Sequence, residues 1–413
     1  MQLRDYQIDI SDKACELLKQ YKIAYLSMQV RTGKTITAIA TATKFGTKNV
    51  LFVTKKKAIS SIQSDAANFD INVTVTNYEQ LHNLIGNFDL IIIDEAHSLG
   101  QFPTPSERTK LLRKICAFKP IIFLSGTPSP ESYSQLYHQF WVSTYSPFEE
   151  GSFYKWAKNY VFVRSKYYFN RQINDYGDAD ELAIRDKTDH LFISYTQEQA
   201  GFTELVQEYV HNVKMSDKTY NIINLLKRNK VVTGKNGHVI EGDTAVKLLN
   251  KLHQLYSGTV IFDNSPQEND GNLFDFSKTD YIFDKFKNQK MAIFYKFIAE
   301  KTLIEVAAKL GGYNVTNDPD VFKEADNNTI FMSQFLSGRE GINLATADVL
   351  ICYNIDFSAV TYFQVRARMQ SKDRDKEAQV HWIMAEHGIE HHIYSQVCNK
   401  KNYTLSYFKN NYQ

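Results

Sequence analysis

The sequence predicts an α/β protein: two parallel-sheet lobes in tandem, with helical insertions between the core motifs. Short apolar, β-branched runs alternate with stretches of helical periodicity, the pattern of βαβ units. Short strands separated by helix-length segments argue for parallel sheets covered on both faces. The runs also fall into two series, and 413 residues at about 150 per domain allow two or three domains.

The first series comprises Asn49–Thr54, Asn72–Thr76, Phe88–Asp94 and Pro120–Ser125. The second comprises Met291–Tyr295, Thr329–Ser333, Asp348–Tyr353 and Gln379–Met384. Thr35–Phe45 and Lys301–Leu310 read as helices between strands. The middle, from about Ser146 to Lys290, is rich in Tyr, Phe, Asn and Lys and poor in strand runs. It reads as helical insertions (about 146–205 and 216–285) around the connection between lobes. Tyr209–Met215 reads as a strand that either closes the first lobe or opens the second. The expected division is residues 1–212 and 213–413.

Composition narrows the function classes. An apolar fraction of 43% with 23% charged residues excludes disordered and collagenous chains. No apolar run approaches the ~18–20 residues of a membrane span, and no signal peptide is read. Cys15, Cys116, Cys352 and Cys398 form no C-x-x-C pair, so neither a disulfide framework nor a zinc ribbon is expected. The expected setting is a reducing cytoplasm, with no membrane partner. A net charge of +2 does not by itself announce nucleic acid, so such a partner must be argued from local patches.

Two motifs carry chemistry. Met28-Gln29-Val30-Arg31-Thr32-Gly33-Lys34-Thr35 ends in T-G-K-T at the start of a helix. Such a turn aims backbone N–H groups and the positive helix end at phosphates. Lys34 can reach the β- and γ-phosphates and the Thr35 hydroxyl can ligate Mg²⁺. Met28 stands where the usual pattern has its first glycine, and Arg31 where many loops carry another. Phe88–His97 is a buried strand that ends in Asp94-Glu95. Asp94 at the carboxyl edge of a parallel strand delivers a carboxylate to the ligand crevice. There it can hold the Mg²⁺ shell, and Glu95 can orient or deprotonate the attacking water. Together the motifs describe a nucleotide hydrolysis site with Mg²⁺.

Asp94-Glu95-Ala96-His97 with this phosphate loop resembles the superfamily 2 helicases, DEAH box included. Leu3-Arg4-Asp5-Tyr6-Gln7 resembles the adenine-reading motif of Swi/Snf-type ATPases, and Leu124-Ser125-Gly126-Thr127-Pro128 their [ST]-G-T-P motif. Ser337–Leu344 looks like motif V, and Gln364-Val365-Arg366-Ala367-Arg368 like motif VI. Gly388-Ile389-Glu390 and Ile393 resemble the segment after the last strand. The compact length and the loop look most like bacteriophage members. The resemblance implies two RecA-like lobes with ATP between them, and a DNA helicase or translocase.

It also implies roles. Gln7, with Arg4, reads the adenine; Arg31, Thr32, Gly33, Lys34 and Thr35 bind the phosphates and Mg²⁺. Asp94 and Glu95 serve metal and water, and Ser125 and Thr127 couple nucleotide state to lobe movement. Gly341 and Asn343 line the cleft, and Gln364 and Arg368 reach the nucleotide from the second lobe. The family pattern has a further arginine where this chain has Ser371. Either Arg366, Lys372 or Arg374 substitutes, or Arg368 acts alone, with Arg368 the expected finger.

Lys55-Lys56-Lys57 follows a strand and suits a nucleic-acid backbone, or a solvated turn. Asn77-Tyr78-Glu79 reads as a second backbone contact or a helix-capping turn. Thr127 and Ser337–Arg339 add contacts by resemblance. His387 and His391, with Glu386, Glu390 and His392 beside them, have zinc-like spacing but no third ligand, and read as solvated surface. The expectation is a monomeric, ATP-driven DNA motor acting on single-stranded, forked or duplex DNA rather than RNA. A phage role in replication, recombination or repair goes with it, in the host cytoplasm. The alternatives are a duplex translocase without strand separation and an ATP-gated nucleic-acid clamp.

Overall fold

The computed structural model describes residues 2–168, 171–201, 206–234, 237–264, 272–273, 275–335, 344–369, 377–399 and 408. Two compact units form, Met1–Phe202 and Thr203–Gln413. Each is built on one six-stranded sheet, parallel throughout. The α/β class and the two RecA-like lobes are therefore as expected.

In the first unit, helix α1 (Asp5–Tyr21) leads to β1 (Ile23–Met28), and a tight turn to α2 (Lys34–Lys44). Next come β2 (Asn49–Thr54), β3 (Asn72–Asn77), β4 (Leu90–Ile93) and β5 (Ile121–Leu124). A two-stranded antiparallel ribbon of β6 (Arg164–Tyr168) and β7 (Arg171–Asp175) precedes β8 (Phe192–Tyr195). The sheet order is β3-β2-β4-β5-β1-β8. Successive residues of a strand point to opposite faces, and here both faces are covered. Ala24, Leu26, Leu90, Ile92, Ile122 and Leu124 pack with Ile10, Ala14 and Leu18 of α1 and with Ala38 and Ile39 of α2. Their neighbours Ile23, Tyr25, Ile91, Ile93, Ile121 and Phe123 pack on the other face with Leu136, Phe140 and Trp156. Each such Leu, Ile or Phe side chain stabilises the fold by about 1.5–3 kcal/mol.

The second unit opens with β9 (Gln207–Val213). Two small antiparallel pairs follow, β10 (Val231–Thr233) with β11 (Val239–Glu241) and β12 (Thr259–Val260) with β13 (Asn272–Leu273). Then come β14 (Met291–Tyr295), β15 (Asn314–Thr316), β16 (Thr329–Gln334), β17 (Val349–Cys352) and β18 (Gln379–Ala385). The sheet order is β15-β16-β14-β17-β18-β9.

Both strand series are present, with ends within two residues of expectation. Three differences stand out. The division expected at 212/213 falls inside β9, which pairs in parallel with β18 along its whole length and so belongs to the second unit. The stretch about 146–205, expected as helical, holds helices Phe153–Tyr160 and Glu181–Thr188 but also the β6–β7 ribbon and β8. Ile23–Met28, absent from the expected strand runs, is β1 beside the Gly33-Lys34-Thr35 turn. No helix among the described residues is long and apolar enough to cross a membrane.

Candidate active site

The carboxyl ends of β1, β2, β4 and β5 bring the motif residues of the first unit together. Parallel strands end on the same edge, so segments distant in sequence meet there.

The turn after β1 is held from three sides. Gly33 (φ +81°) caps α2 and Arg31 (φ +63°) also lies in the left-handed region. That region costs a residue with a side chain about 1–2 kcal/mol, so Arg31 bears strain where glycine would not. The Gln7 side-chain amide occupies the space a Cβ on Gly33 would need. Gln7 is buried, and its Oε1 accepts from the Arg4 N–H at 3.0 Å. Arg4 donates to the Tyr6 hydroxyl, which donates to the Thr32 carbonyl at 3.0 Å. On the far side Gln197 donates to Gln29 Oε1 and to the Val30 carbonyl. The Gly126 turn after β5 closes the third side, so near that a Cβ there would meet the Met28 carbonyl at 3.3 Å.

Lys34 Nζ donates to the carbonyls of Met28 at 2.9 Å and Gln29 at 3.2 Å. This arrangement places the ammonium over the loop. Thr35, partly exposed, sits in the first turn of α2.

Asp94 follows β4. Its Oδ2 accepts from the Thr54 hydroxyl at the end of β2, 2.8 Å away, and its Oδ1 from the Glu95 N–H at 3.0 Å. Burial, and then the neighbouring Glu95 charge, push its carboxyl above the usual carboxylate range, while the Thr54 hydrogen bond and the Lys34 charge pull it back. Glu95 adopts a left-handed backbone (φ +50°), a strain of the kind found at functional sites. Its carboxylate lies 3.3 Å from His97 Nδ1. The same nitrogen lies 2.9 Å from the Ser125 hydroxyl, and Ser125 Oγ accepts from the Thr127 N–H at 3.1 Å. A continuous polar chain thus joins the end of β4 to the turn after β5.

Sequence reasoning missed two of these partners. Thr54 carries no motif, since a threonine at a strand end is ordinary. His97 was visible only as the last letter of the Asp94–His97 run.

The expectation for Tyr78 is corrected. Tyr78 is 4% exposed, too buried for a nucleic-acid backbone contact. Its hydroxyl donates to the Asp94 carbonyl, with the Arg108 guanidinium over its ring. Asn77 takes the capping role, accepting from the N–H groups of Glu79 and Gln80. Lys55 is half-buried, whereas Lys56 and Lys57 are exposed just after β2.

In the second unit Gln364 lies in helix Ala359–Arg366 and Arg368 in the turn after it, both buried. Arg366 pairs with Glu208 on β9 at 2.6 Å, and Tyr362 and Trp382 donate to the same carboxylate. Ser337, Gly341, Asn343, Ser371, Lys372 and Arg374 lie outside the described residues. Glu390 departs from the solvated-surface expectation: it is fully buried and paired with Lys278 at 2.8 Å. His391 Nε2 lies 3.2 Å from the Ala385 carbonyl.

The residues present suit a nucleotide with Mg²⁺. A glycine turn, a lysine held over it, a helix-start hydroxyl and a buried carboxylate stand on one sheet edge, with a second carboxylate beside them. No curated protein matches the chain. Residues 1–68, which span α1, β1, the phosphate turn, α2 and β2, match the family model described as Type III restriction enzyme, res subunit, a helicase-like family of superfamily 2.

Proposed function

We propose that the protein is an ATP-dependent DNA motor, a helicase or translocase. The observation that carries this reading is the joining of Lys34, Asp94, Glu95 and Ser125 on one sheet edge within a chain whose start matches a helicase-like family. Gln7 and Arg4 meet the adenine, and the N–H groups of Arg31–Thr35 and the Lys34 ammonium receive the phosphates. Thr35 and Asp94 hold Mg²⁺, which neutralises phosphate charge. Glu95 orients the attacking water and accepts its proton. The Glu95–His97–Ser125 chain carries the change at the phosphates to Thr127 and the segment after it. Gln364 and Arg368 act on the same nucleotide, with Arg368 as the charge-stabilising arginine. Lys55, Lys56 and Thr127 contact the DNA backbone. The division into an ATP-binding lobe and a second motor lobe follows from these roles. Work on phage DNA in replication, recombination or repair fits the resemblance of the loop.

Steady-state ATP hydrolysis, measured alone and with single-stranded, blunt duplex or forked DNA or with RNA, tests the proposal. Glu95→Gln is the control. Stimulation by blunt duplex indicates a duplex translocase, and stimulation confined to forks or single strands a helicase. ATP binding with negligible turnover under every condition would make the protein a clamp and end the motor reading.

A further inference from the structure

Gln197 belongs to no motif, yet it is bonded to the phosphate turn at two points. β8 is a parallel neighbour of β1, with Met28 opposite Tyr195. Past the end of that ladder the two segments stay joined. The Gln29 N–H donates to the Tyr195 carbonyl at 2.9 Å. In return the Gln197 N–H donates to Gln29 Oε1 at 2.8 Å, and the Gln197 side-chain amide donates to the Val30 carbonyl at 3.0 Å.

The last of these bonds sets the orientation of a peptide. The bond between Val30 and Arg31 is trans, and a trans peptide is planar, with its carbonyl and its N–H pointing to opposite sides. Holding the Val30 carbonyl toward Gln197 therefore turns the Arg31 N–H away from Gln197. Tyr6 acts in the same way two residues on: its hydroxyl holds the Thr32 carbonyl at 3.0 Å and so turns the Gly33 N–H away from Tyr6. Two donors from different elements thus fix alternate peptides of one turn. Their supports are joined as well, since the Tyr6 and Tyr195 rings stack with centroids 4.6 Å apart. The strained backbone of Arg31 (φ +63°) lies next to the fixed peptide. Such a conformation persists only where the surroundings over-determine it, and the Gln197 bond is one of the constraints that do so here.

We propose that Gln197 is a positioning residue for the phosphate turn: by holding the Val30 carbonyl, its side-chain amide aims the Arg31 N–H at the nucleotide phosphates. The assignment rests on the nucleotide-site reading above. Successive backbone N–H groups make an anion site only when they converge. An unheld Val30–Arg31 peptide would forfeit one charge-assisted hydrogen bond to the phosphates.

Titration calorimetry of the full chain with Mg·ATP tests this. Gln197→Met keeps the length of the side chain and removes its donor. A hydrogen bond to a charged group is worth about tenfold in affinity. Gln197→Met is therefore expected to raise the Kd for ATP by about that factor, with the parent's stoichiometry. In steady-state turnover the KM for ATP is expected to rise by a larger factor than kcat falls, whereas a loss of folded protein lowers kcat alone. An unchanged Kd in Gln197→Met, with or without a loss of binding sites, ends the Gln197 assignment and leaves the nucleotide reading standing. A parent chain that binds no Mg·ATP ends both.

Discussion

The Thr54 hydroxyl donates a 2.8 Å hydrogen bond to the carboxylate of Asp94, which lies 40 residues further along the chain. Two neighbouring parallel strands, β2 and β4, end together and make this pairing possible. The bond fixes one carboxylate oxygen and favours its charged form against the burial that opposes it. Partners that orient a metal-binding carboxylate typically change metal affinity or activity by about 10–100-fold when removed. Thr54→Val, close in shape but without the donor, is expected to raise the Mg²⁺ concentration for half-maximal ATP turnover by about tenfold or more. Thr54→Ser is expected to restore it. Equal Mg²⁺ titrations for Val and Thr would remove Thr54 from the site.

Lys34→Ala and Glu95→Gln are expected to abolish ATP turnover while leaving the thermal midpoint near the parent's. Glu95→Gln should still bind ATP, because the phosphate turn is intact. Nucleotide binding by fluorescence beside steady-state turnover separates the two steps. Normal turnover by a folded Glu95→Gln protein would sink the catalytic assignment.

Gly33→Ala places a Cβ where the Gln7 amide lies, in a backbone region unfavourable to alanine. The expected outcome is a loss of about 1–2 kcal/mol of stability from the backbone alone, with weakened ATP binding. Denaturant titration and nucleotide affinity measure the two effects. Arg31→Gly should move stability in the opposite direction, by relieving strain.

Two arginines of the second unit are expected to fail differently. Arg368→Ala should lower DNA-stimulated kcat by on the order of 10³ or more, as for arginines that stabilise a transferring phosphate, with the fold intact. Arg366→Ala removes the partner of Glu208, itself accepting from Tyr362 and Trp382, and should lower the thermal midpoint. Unimpaired turnover by Arg368→Ala under saturating ATP would overturn its role.

His138 is buried, its Nδ1 2.7 Å from the Gln101 carbonyl, and burial pushes its pKa down to about 4. An unfolded histidine titrates near ~6.5, so between these values the unfolded chain binds the proton that the folded chain refuses. Stability is therefore whole above ~6.5 and falls as pH drops from there toward about 4. Thermal melts across that window check this, and His138→Gln should flatten the dependence.

How much was legible in the sequence follows from what each feature depends on. Asn49–Thr54 and Met291–Tyr295 match their strands to the residue because a short, mostly apolar run bounded by polar residues has few other ways to bury itself. The Gly33-Lys34-Thr35 turn and the Asp94-Glu95 strand end were legible too, because their chemistry sits on contiguous residues. The ribbon was not, for Arg164–Asp175 shows neither a strong apolar alternation nor an Asn-Gly turn. Lys278 and Glu390 were hidden as well. Charged residues ordinarily stay at the surface, and only a partner 112 residues away lets both sit fully buried.

The two-lobe α/β class, the eight strand runs of its two series and the Gly33-Lys34-Thr35 and Asp94-Glu95 motifs were already legible in local pattern. Backbone geometry and side-chain chemistry over a few residues suffice for those. The assignment of β9 to the second sheet, the burial of Tyr78, the engagement of Arg366 by Glu208 and the Thr54–Asp94 bond were decided only by the tertiary structure. Each depends on which distant segments share a sheet edge or a core face, and a linear pattern carries no term for that choice.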